Sequence, residues 1–165
     1  MNPLSLQRIN EQSPYRVVLS DLGDYLFSTT KGVVYSVSFR EEFELGGCMS
    51  YQFSLTNVND QHAAYDSQIR PTVVAIIDEF FAQNLDVLLY MCDTSDGREA
   101  NRNRLFIRWF ERSANPSRFT IRTASSIVEG QGFYAAIIVE NRNPKLQAIT
   151  DDFDATAEAL TNKPE

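Results

Sequence analysis

The sequence has few of the residues that build disulfide frameworks and metal sites. It contains two cysteines, Cys48 and Cys92, and one histidine, His62, among its 165 residues. Two cysteines give neither a disulfide framework nor a metal-ligand spacing, so we interpret both as reduced thiols, with Cys92 buried in an apolar run. One histidine offers no zinc site, and without a Gly-x-Ser-x-Gly elbow it indicates no hydrolase triad.

Long apolar runs are also absent. No stretch approaches the roughly 18 apolar residues of a membrane-spanning helix, so we expect no membrane partner. Residues 1–14 lack the apolar region of a secretory signal, which predicts a cytoplasmic protein with 1–14 as a candidate flexible segment. The net charge of −7 repels phosphate backbones and disfavours nucleic-acid binding.

The remaining composition is that of an ordinary globular protein. Apolar residues make up 43% of the chain, enough for one proper core in a chain of this length. No internal repeat, low-complexity tract or linker marks a boundary, so the sequence predicts a single domain over residues 1–165.

Alternating apolar residues predict strands in the first third of the chain. Residues 15–19 form a weak candidate strand, and residues 25–30 and 33–39 predict a hairpin around the Lys31-Gly32 turn. Residues 51–56 follow Gly46-Gly47 as a third alternating run. Three strands with short links predict an antiparallel meander.

The period then changes to that of a helix. Apolar residues recur at helical spacing, with Asp78, Glu79 and Gln83 on the opposite side and Pro71 in the first turn; they are Ile69, Val73, Ile76, Ile77, Phe80 and Phe81. Residues 87–92 are continuously apolar, which is typical of a central strand covered on both faces.

The second half predicts further alternation of helix and strand. A helix is expected over about residues 98–112, then strands at 119–124 and 133–139. A last helix carries Leu146, Ile149, Phe153, Ala157 and Leu160. The whole order predicts an α+β fold with a mixed, mostly antiparallel sheet flanked by helices.

This order, from three antiparallel strands through to the closing strand pair, resembles the GNAT acyltransferase core over about residues 24–140. Residues 101–110 are similar to the penultimate helix of that superfamily. The resemblance implies that the loop Asp66-Ser67-Gln68-Ile69-Arg70-Pro71 would bind the pyrophosphate of acetyl-CoA. This loop has no glycine, Asp66 would repel phosphate, and Arg70 alone favours it. Phe106 stands where the resemblance implies a proton-donating tyrosine.

A second resemblance rests on the run Cys92-Asp93-Thr94-Ser95-Asp96-Gly97-Arg98 and the following Arg-Leu-Phe and Trp-Phe pairs. It is similar to a family of small uncharacterised bacterial proteins, which implies no known activity.

Two local features offer candidate site residues. Carboxylates Asp93 and Asp96 follow a central strand, where they could hold a metal or phosphate, or cap the next helix. Arginines on that helix could bind an acidic protein partner or a small anionic ligand. They could instead form a solvated face paired with the acidic last helix, through Asp151, Asp152, Asp154 and Glu158. The arginines are Arg98, Arg102, Arg104, Arg108 and Arg112.

The sequence therefore favours a non-catalytic, GNAT-like domain that binds a protein or a small ligand, with no cofactor and no metal. Its candidate binding patch is Asp93, Asp96, Arg98, Arg102, Arg104 and Arg108. The alternative is an acyl-CoA-dependent N-acyltransferase with an atypical cofactor loop, in which Arg70 contacts acetyl-CoA. A metal-dependent enzyme using Asp93 and Asp96 is a third reading.

Overall fold

The computed structural model describes residues 1–61, 65–93, 108–109 and 117–161. The helices with both ends in these ranges are α1 (Leu6–Gln12), α2 (Ile69–Gln83) and α3 (Leu146–Thr161). The strands are β1 (Val18–Leu19), β2 (Tyr25–Ser28), β3 (Val34–Leu45), β4 (Cys48–Asn57), β5 (Val87–Asp93), β6 (Phe119–Val128) and β7 (Gln131–Glu140).

The strands form one seven-stranded sheet in the order β1-β2-β3-β4-β5-β7-β6. β2 pairs antiparallel with β1 and β3, and β7 pairs antiparallel with β5 and β6. β4 and β5 pair in parallel, through Ser50–Gln52 and Val87–Leu89. This mixed sheet together with the helices confirms the predicted α+β class.

The chain divides into two compact units. The first contains Met1–Arg40 and Phe53–Asn84, and the second contains Glu41–Gln52 and Leu85–Glu165. β3 and β4 contribute residues to both units, because the division falls inside each of these strands. The prediction of a single domain over residues 1–165 stays a prediction.

Aromatic rings fill the core of the first unit. Phe39 stacks on Phe80 with ring centres 4.9 Å apart, and Phe80 meets Phe81 edge to face at 5.1 Å. Phe80, Phe81 and Ile76 are fully buried, so the apolar face predicted for α2 is confirmed. Pro71 lies in the first turn of this helix, also as predicted.

Glu79 departs from the prediction, because it is buried at 4% exposure rather than on a polar face of α2. Its carboxylate accepts hydrogen bonds from Ser5 N at 3.1 Å, Arg8 Nε at 3.0 Å and Gln83 Nε2 at 2.8 Å. These donors replace the water that burial removes. Two of them belong to the segment that contains α1, so Glu79 joins α1 to α2.

The candidate flexible segment 1–14 contains α1. Ser5 caps this helix, since its Oγ accepts a hydrogen bond from Arg8 N at 3.2 Å. Ile9 and Leu4 are buried, at 1% and 8% exposure. Asn2 N also donates to Asn84 Oδ1 at 2.7 Å, so the start of the segment is held by the C-cap of α2.

The core of the second unit lies between α3 and the sheet. Its buried members are Leu45, Cys48, Val87, Leu89, Ile137, Val139, Ile149 and Phe153. The turn between β3 and β4 packs on α3, where Gly46 N donates to Asp152 Oδ2 at 2.8 Å. Gly46 has a φ of +57°, and a Cβ there would lie 2.4 Å from the backbone of Ala148.

Several strands are longer than the sequence predicts. β3 continues to Leu45, β4 begins at Cys48, and β6 continues to Val128. In β5, Val87, Leu88 and Leu89 are buried as expected, but Met91 is 39% exposed and Cys92 is half-buried. The buried cysteine is Cys48, so the expectation that Cys92 is buried is wrong. Among the described helices, none is long and apolar enough to cross a membrane.

Candidate functional site

A groove of about 560 Å³ lies beside the start of α2, within the first unit. Three separate segments form its walls: the chain after α1, the turn between β2 and β3, and the segment leading into α2. The lining residues are Pro14, Tyr15, Thr30, Lys31, Tyr65, Asp66, Ser67 and Gln68. Four of these belong to the segment 65–68, which overlaps the loop that the acyltransferase resemblance marks for cofactor binding.

The turn that carries Lys31 is fixed by its own hydrogen bonds. Gly32 has a φ of +79°, a conformation that glycine takes without steric cost, and its N–H donates to Thr29 O at 3.0 Å. Asn59 Nδ2 donates to Gly32 O at 2.8 Å, and Asn59 Oδ1 accepts from Val34 N at 3.1 Å. Lys31 is therefore an exposed cation on a well-defined turn.

Tyr15 and Asp66 connect two walls of the groove. The Tyr15 hydroxyl donates to Asp66 Oδ2 at 2.5 Å, and Gln68 N donates to Asp66 Oδ1 at 2.8 Å. The Tyr15 ring also stacks on Phe27, with ring centres 6.1 Å apart and planes at 12°. Because its ring is packed and its hydroxyl is hydrogen-bonded, the Tyr15 side chain has a fixed position in the groove wall.

Hydrogen bonding lowers the pKa of the Asp66 carboxyl group. The Tyr15 hydroxyl, and after it the Gln68 N–H, hold the pKa of Asp66 below its ordinary value. Burial opposes them, and the charge of Lys31 makes the smallest contribution, which lowers the pKa. The negative charge of Asp66 also raises the pKa of Tyr35, after the larger effect of burial. Among the described lining residues, Asp66 is the anion and Lys31 is the cation.

The residues at the outer wall are exposed. Tyr65 is 91% exposed and Lys31, Ser67 and Gln68 are exposed as well. An aromatic ring at such exposure offers an apolar and polarisable surface together with a hydroxyl group. The groove can therefore contact a ligand through rings, hydroxyls and a cation.

Three of the predicted site residues, Arg70, Asp93 and Arg108, lie in the part of the chain that the structure describes. Arg70 is exposed on the first turn of α2 in the first unit and does not line the groove. In the second unit, Asp93 ends β5 and Arg108 is exposed on a helical turn. Asp96, Arg98, Arg102 and Arg104 lie outside the described residues, as does Phe106, so binding of an acidic partner by this patch stays a prediction.

Three acidic residues of α3 contact described groups, and their predicted pairing with the arginines stays a prediction. Asp154 Oδ2 lies 4.0 Å from Arg122 Nε on β6, and Asp151 Oδ1 accepts from Gln147 Nε2 at 2.8 Å. Asp152 bonds the Gly46 turn, as described above. Within residues 1–61, 65–93, 108–109 and 117–161, no group of three metal-ligating side chains could hold a metal ion.

Sequence reasoning missed Tyr15, Lys31 and Tyr65 as site residues. The signal that could have found them is the loop Asp66 to Pro71, which the resemblance singled out. However, the partners of this loop are more than 30 residues away in the sequence. No periodicity or spacing relates them to it.

Residues 65–155 match a family model described as a family of unknown function, DUF6169. The chain belongs to DUF6169. This confirms the expectation of a family without a known activity. The DUF6169 match includes the groove residues Tyr65 to Gln68 and excludes Tyr15 and Lys31. No curated protein and no solved structure matches the chain, so the comparisons lend no support to the acyltransferase resemblance.

Proposed function

We propose that this chain is a non-catalytic binding domain whose groove at the start of α2 binds a small anionic ligand. The observation that carries the proposal is the exposed Lys31 on an ordered turn beside Tyr15 and Tyr65. The volume of about 560 Å³ lies within the range of roughly 300–1,000 Å³ that small-molecule sites occupy. The ligand is therefore of metabolite size.

The charges in the groove limit the charge of the ligand. The ammonium group of Lys31 offers up to three donors, and the start of α2 contributes the positive end of its dipole. The ionised Asp66 lies at the same helix start and repels anions. A ligand with a single carboxylate can pair with Lys31 while it stays at a distance from Asp66. A pyrophosphate carries several negative charges, and the Asp66 carboxylate would repel them. The proposed ligand is an organic acid with one carboxylate and an apolar or aromatic body.

The chemistry of the described lining residues supports binding rather than catalysis. The depressed pKa of Asp66 makes it a weak base at neutral pH, since an effective general base has a pKa near the working pH. Its two oxygens are already engaged by Tyr15 and Gln68. We place this binding domain in the cytoplasm, and two free cysteines are compatible with that location.

The second candidate is the acyl-CoA-dependent N-acyltransferase with an atypical loop. In its favour, β2, β3 and β4 precede α2, and β5 comes before the closing pair β6 and β7, which is part of the element order on which the resemblance rests; most of the second helix of that order lies outside the described residues. Against it, Asp66 bonds the N–H of Gln68 that a phosphate would need at this helix start. Arg70 would be the cofactor contact under this candidate.

Thermal-shift and calorimetric titration with a set of small monocarboxylic acids, and separately with acetyl-CoA, test both candidates. A ligand at about 100 times its dissociation constant adds roughly 2.7 kcal/mol of stability. We expect a carboxylic acid to bind. Its affinity should fall at least about tenfold in Lys31→Glu and should be retained in Lys31→Arg.

Arg70→Glu is the matched control, because it reverses an exposed cation of the same unit that does not line the groove. Under the proposal it leaves the affinity for the acid unchanged. Binding of acetyl-CoA that is lost in Arg70→Glu would instead support the acyltransferase. No stabilisation by any carboxylic acid would contradict the proposal.

A further inference from the structure

The two edges of the sheet differ in length and protection. One edge strand, β1, has two residues, whereas the other, β6, has ten. Natural proteins protect sheet edges with short strands, prolines, lysines or bulges, because unpaired backbone groups recruit other strands. β6 has no proline, glycine or lysine, and its sequence Phe-Thr-Ile-Arg-Thr-Ala-Ser-Ser-Ile-Val contains one charge.

All ten residues of β6 pair with β7. Among the strands that the structure describes, none pairs with its other edge. Thr123 and Ser125 are exposed on this strand, and Ile127 is 72% exposed. Such an edge is suited to antiparallel addition of another strand, through backbone hydrogen bonds.

We infer that the β6 edge is a homodimer interface, in which β6 of a second copy of this chain adds antiparallel to it about a two-fold axis. An antiparallel strand edge is complementary to itself, which is what an isologous two-fold contact requires. The proposal is independent of the groove and of the ligand proposed for it.

Charge disfavours one register of this pairing. A two-fold axis perpendicular to the sheet places one residue of β6 opposite its own copy. If that residue were Arg122, two like charges would face each other, which is unfavourable. With Thr123 on the axis, Arg122 lies opposite Ala124 of the second copy, and two threonines form the central pair.

The same axis keeps α3 of both copies on one face of the joined sheet. Arg122 and Asp154 lie on that face at 4.0 Å, with exposures of 48% and 59%. In the dimer, Arg122 of one copy is diagonal to Arg122 of the other, and residues diagonal across a strand pair are roughly 7–8 Å apart. The second pair of Arg122 and Asp154 therefore lies beside the first. Two half-exposed ion pairs thereby become one alternating network of four charges.

Sedimentation and cross-linking of the full-length protein test the inference. We expect a dimer whose dissociation constant rises roughly tenfold in Thr123→Glu, where two carboxylates meet on the axis, and rises far less in Thr123→Gln. The two variants have nearly the same shape and lose the same threonine hydroxyl, so they differ in charge. A monomer at all concentrations, or equal effects of both variants, would overturn the inference.

The register is tested with Thr123→Cys and Ser125→Cys in a Cys92→Ser background, treated with a short bis-maleimide. The two Thr123 positions lie about 5 Å apart in the proposed pairing, and the two Ser125 positions about 14 Å apart. Efficient cross-linking at position 123 with little at 125 is expected. If the wild-type protein is a dimer but neither cysteine variant cross-links, the β6 edge is excluded as the interface.

Discussion

The hydroxyl of Tyr15 lies 2.5 Å from Oδ2 of Asp66, so residues 51 positions apart in the sequence share a hydrogen bond at the groove. This bond is the largest cause of the depressed pKa of Asp66. Tyr15 is held from the other side by its stacking on Phe27. The pKa of Asp66 therefore depends on a residue outside the loop that contains it.

Replacing Tyr15 by phenylalanine should raise the pKa of Asp66, because the donor that stabilises the carboxylate is removed. The pKa of Asp66 is lower in the folded protein than the value of about 3.9 in an unfolded chain. Its contribution to stability is thus present above about pH 4 and is lost as the pH falls through the folded pKa. NMR titration of the Asp66 carboxyl carbon measures the shift.

Tyr65→Phe is the control for this experiment, since Tyr65 lines the same groove and is 91% exposed. It should leave the titration of Asp66 unchanged. An unaltered Asp66 pKa in Tyr15→Phe would show that the hydrogen bond does not act as described.

Gly46→Ala should destabilise the protein by about 2–4 kcal/mol. The new Cβ would lie 2.4 Å from the carbonyl carbon of Ala148, and its φ of +57° strains any other residue. Gly23→Ala provides the comparison, because Gly23 has a φ of +85° with no atom within 4 Å of the added Cβ. Its cost should be about 1 kcal/mol, from strain alone. Equal costs in chemical denaturation would refute the close approach at Gly46.

Glu79→Ala should cost about 2–3 kcal/mol, because hydrogen bonds to a buried charged group are lost. The main-chain N–H of Ser5 and the side chain of Arg8 would lose their acceptor. Hydrogen exchange should increase in α1 before it increases in α2. Glu11→Ala, an exposed substitution on α1, should change stability by less than about 0.5 kcal/mol. Unchanged exchange in α1 would mean that Glu79 does not hold this helix.

Phe80→Ala should be the most damaging of these substitutions to the first unit, at about 3–5 kcal/mol. Phe80 is fully buried and contacts the rings of both Phe39 and Phe81. Tyr65→Ala removes a ring of similar size from an exposed position and should cost less than about 0.5 kcal/mol. Denaturant unfolding of both variants measures the difference, and similar midpoints would contradict the assigned core.

Local patterns in the sequence predicted the type of each described element from β1 onward, since alternation and helical spacing report burial directly. They underestimated β3, because the charged residues Arg40, Glu41 and Glu42 end the alternation although the strand continues to Leu45. This extension is held across the sheet: Ser50 Oγ donates to Phe43 O at 2.6 Å. Such support comes from another strand and leaves no local signal.

The candidate site was less predictable than the fold, for the same physical reason. Glu79 has the spacing of a polar-face residue, and only the docking of α1 explains its burial. The groove needs Tyr15 and Lys31 next to the segment from Tyr65 to Gln68, and folding alone brings them together. Residues 1–14, which the sequence indicates as a candidate flexible segment, contribute Pro14 to that groove.

The groove has walls on both sides of the boundary of the DUF6169 match, which begins at residue 65. Asp66 and its helix start belong to the matched segment, whereas Tyr15 and Lys31 do not. If the groove binds a ligand as proposed, substitutions in the unmatched wall can change which ligand is accepted while the matched segment stays the same. A search for the natural ligand should compare relatives by the residues aligned with Tyr15 and Lys31, because family membership alone does not specify that wall.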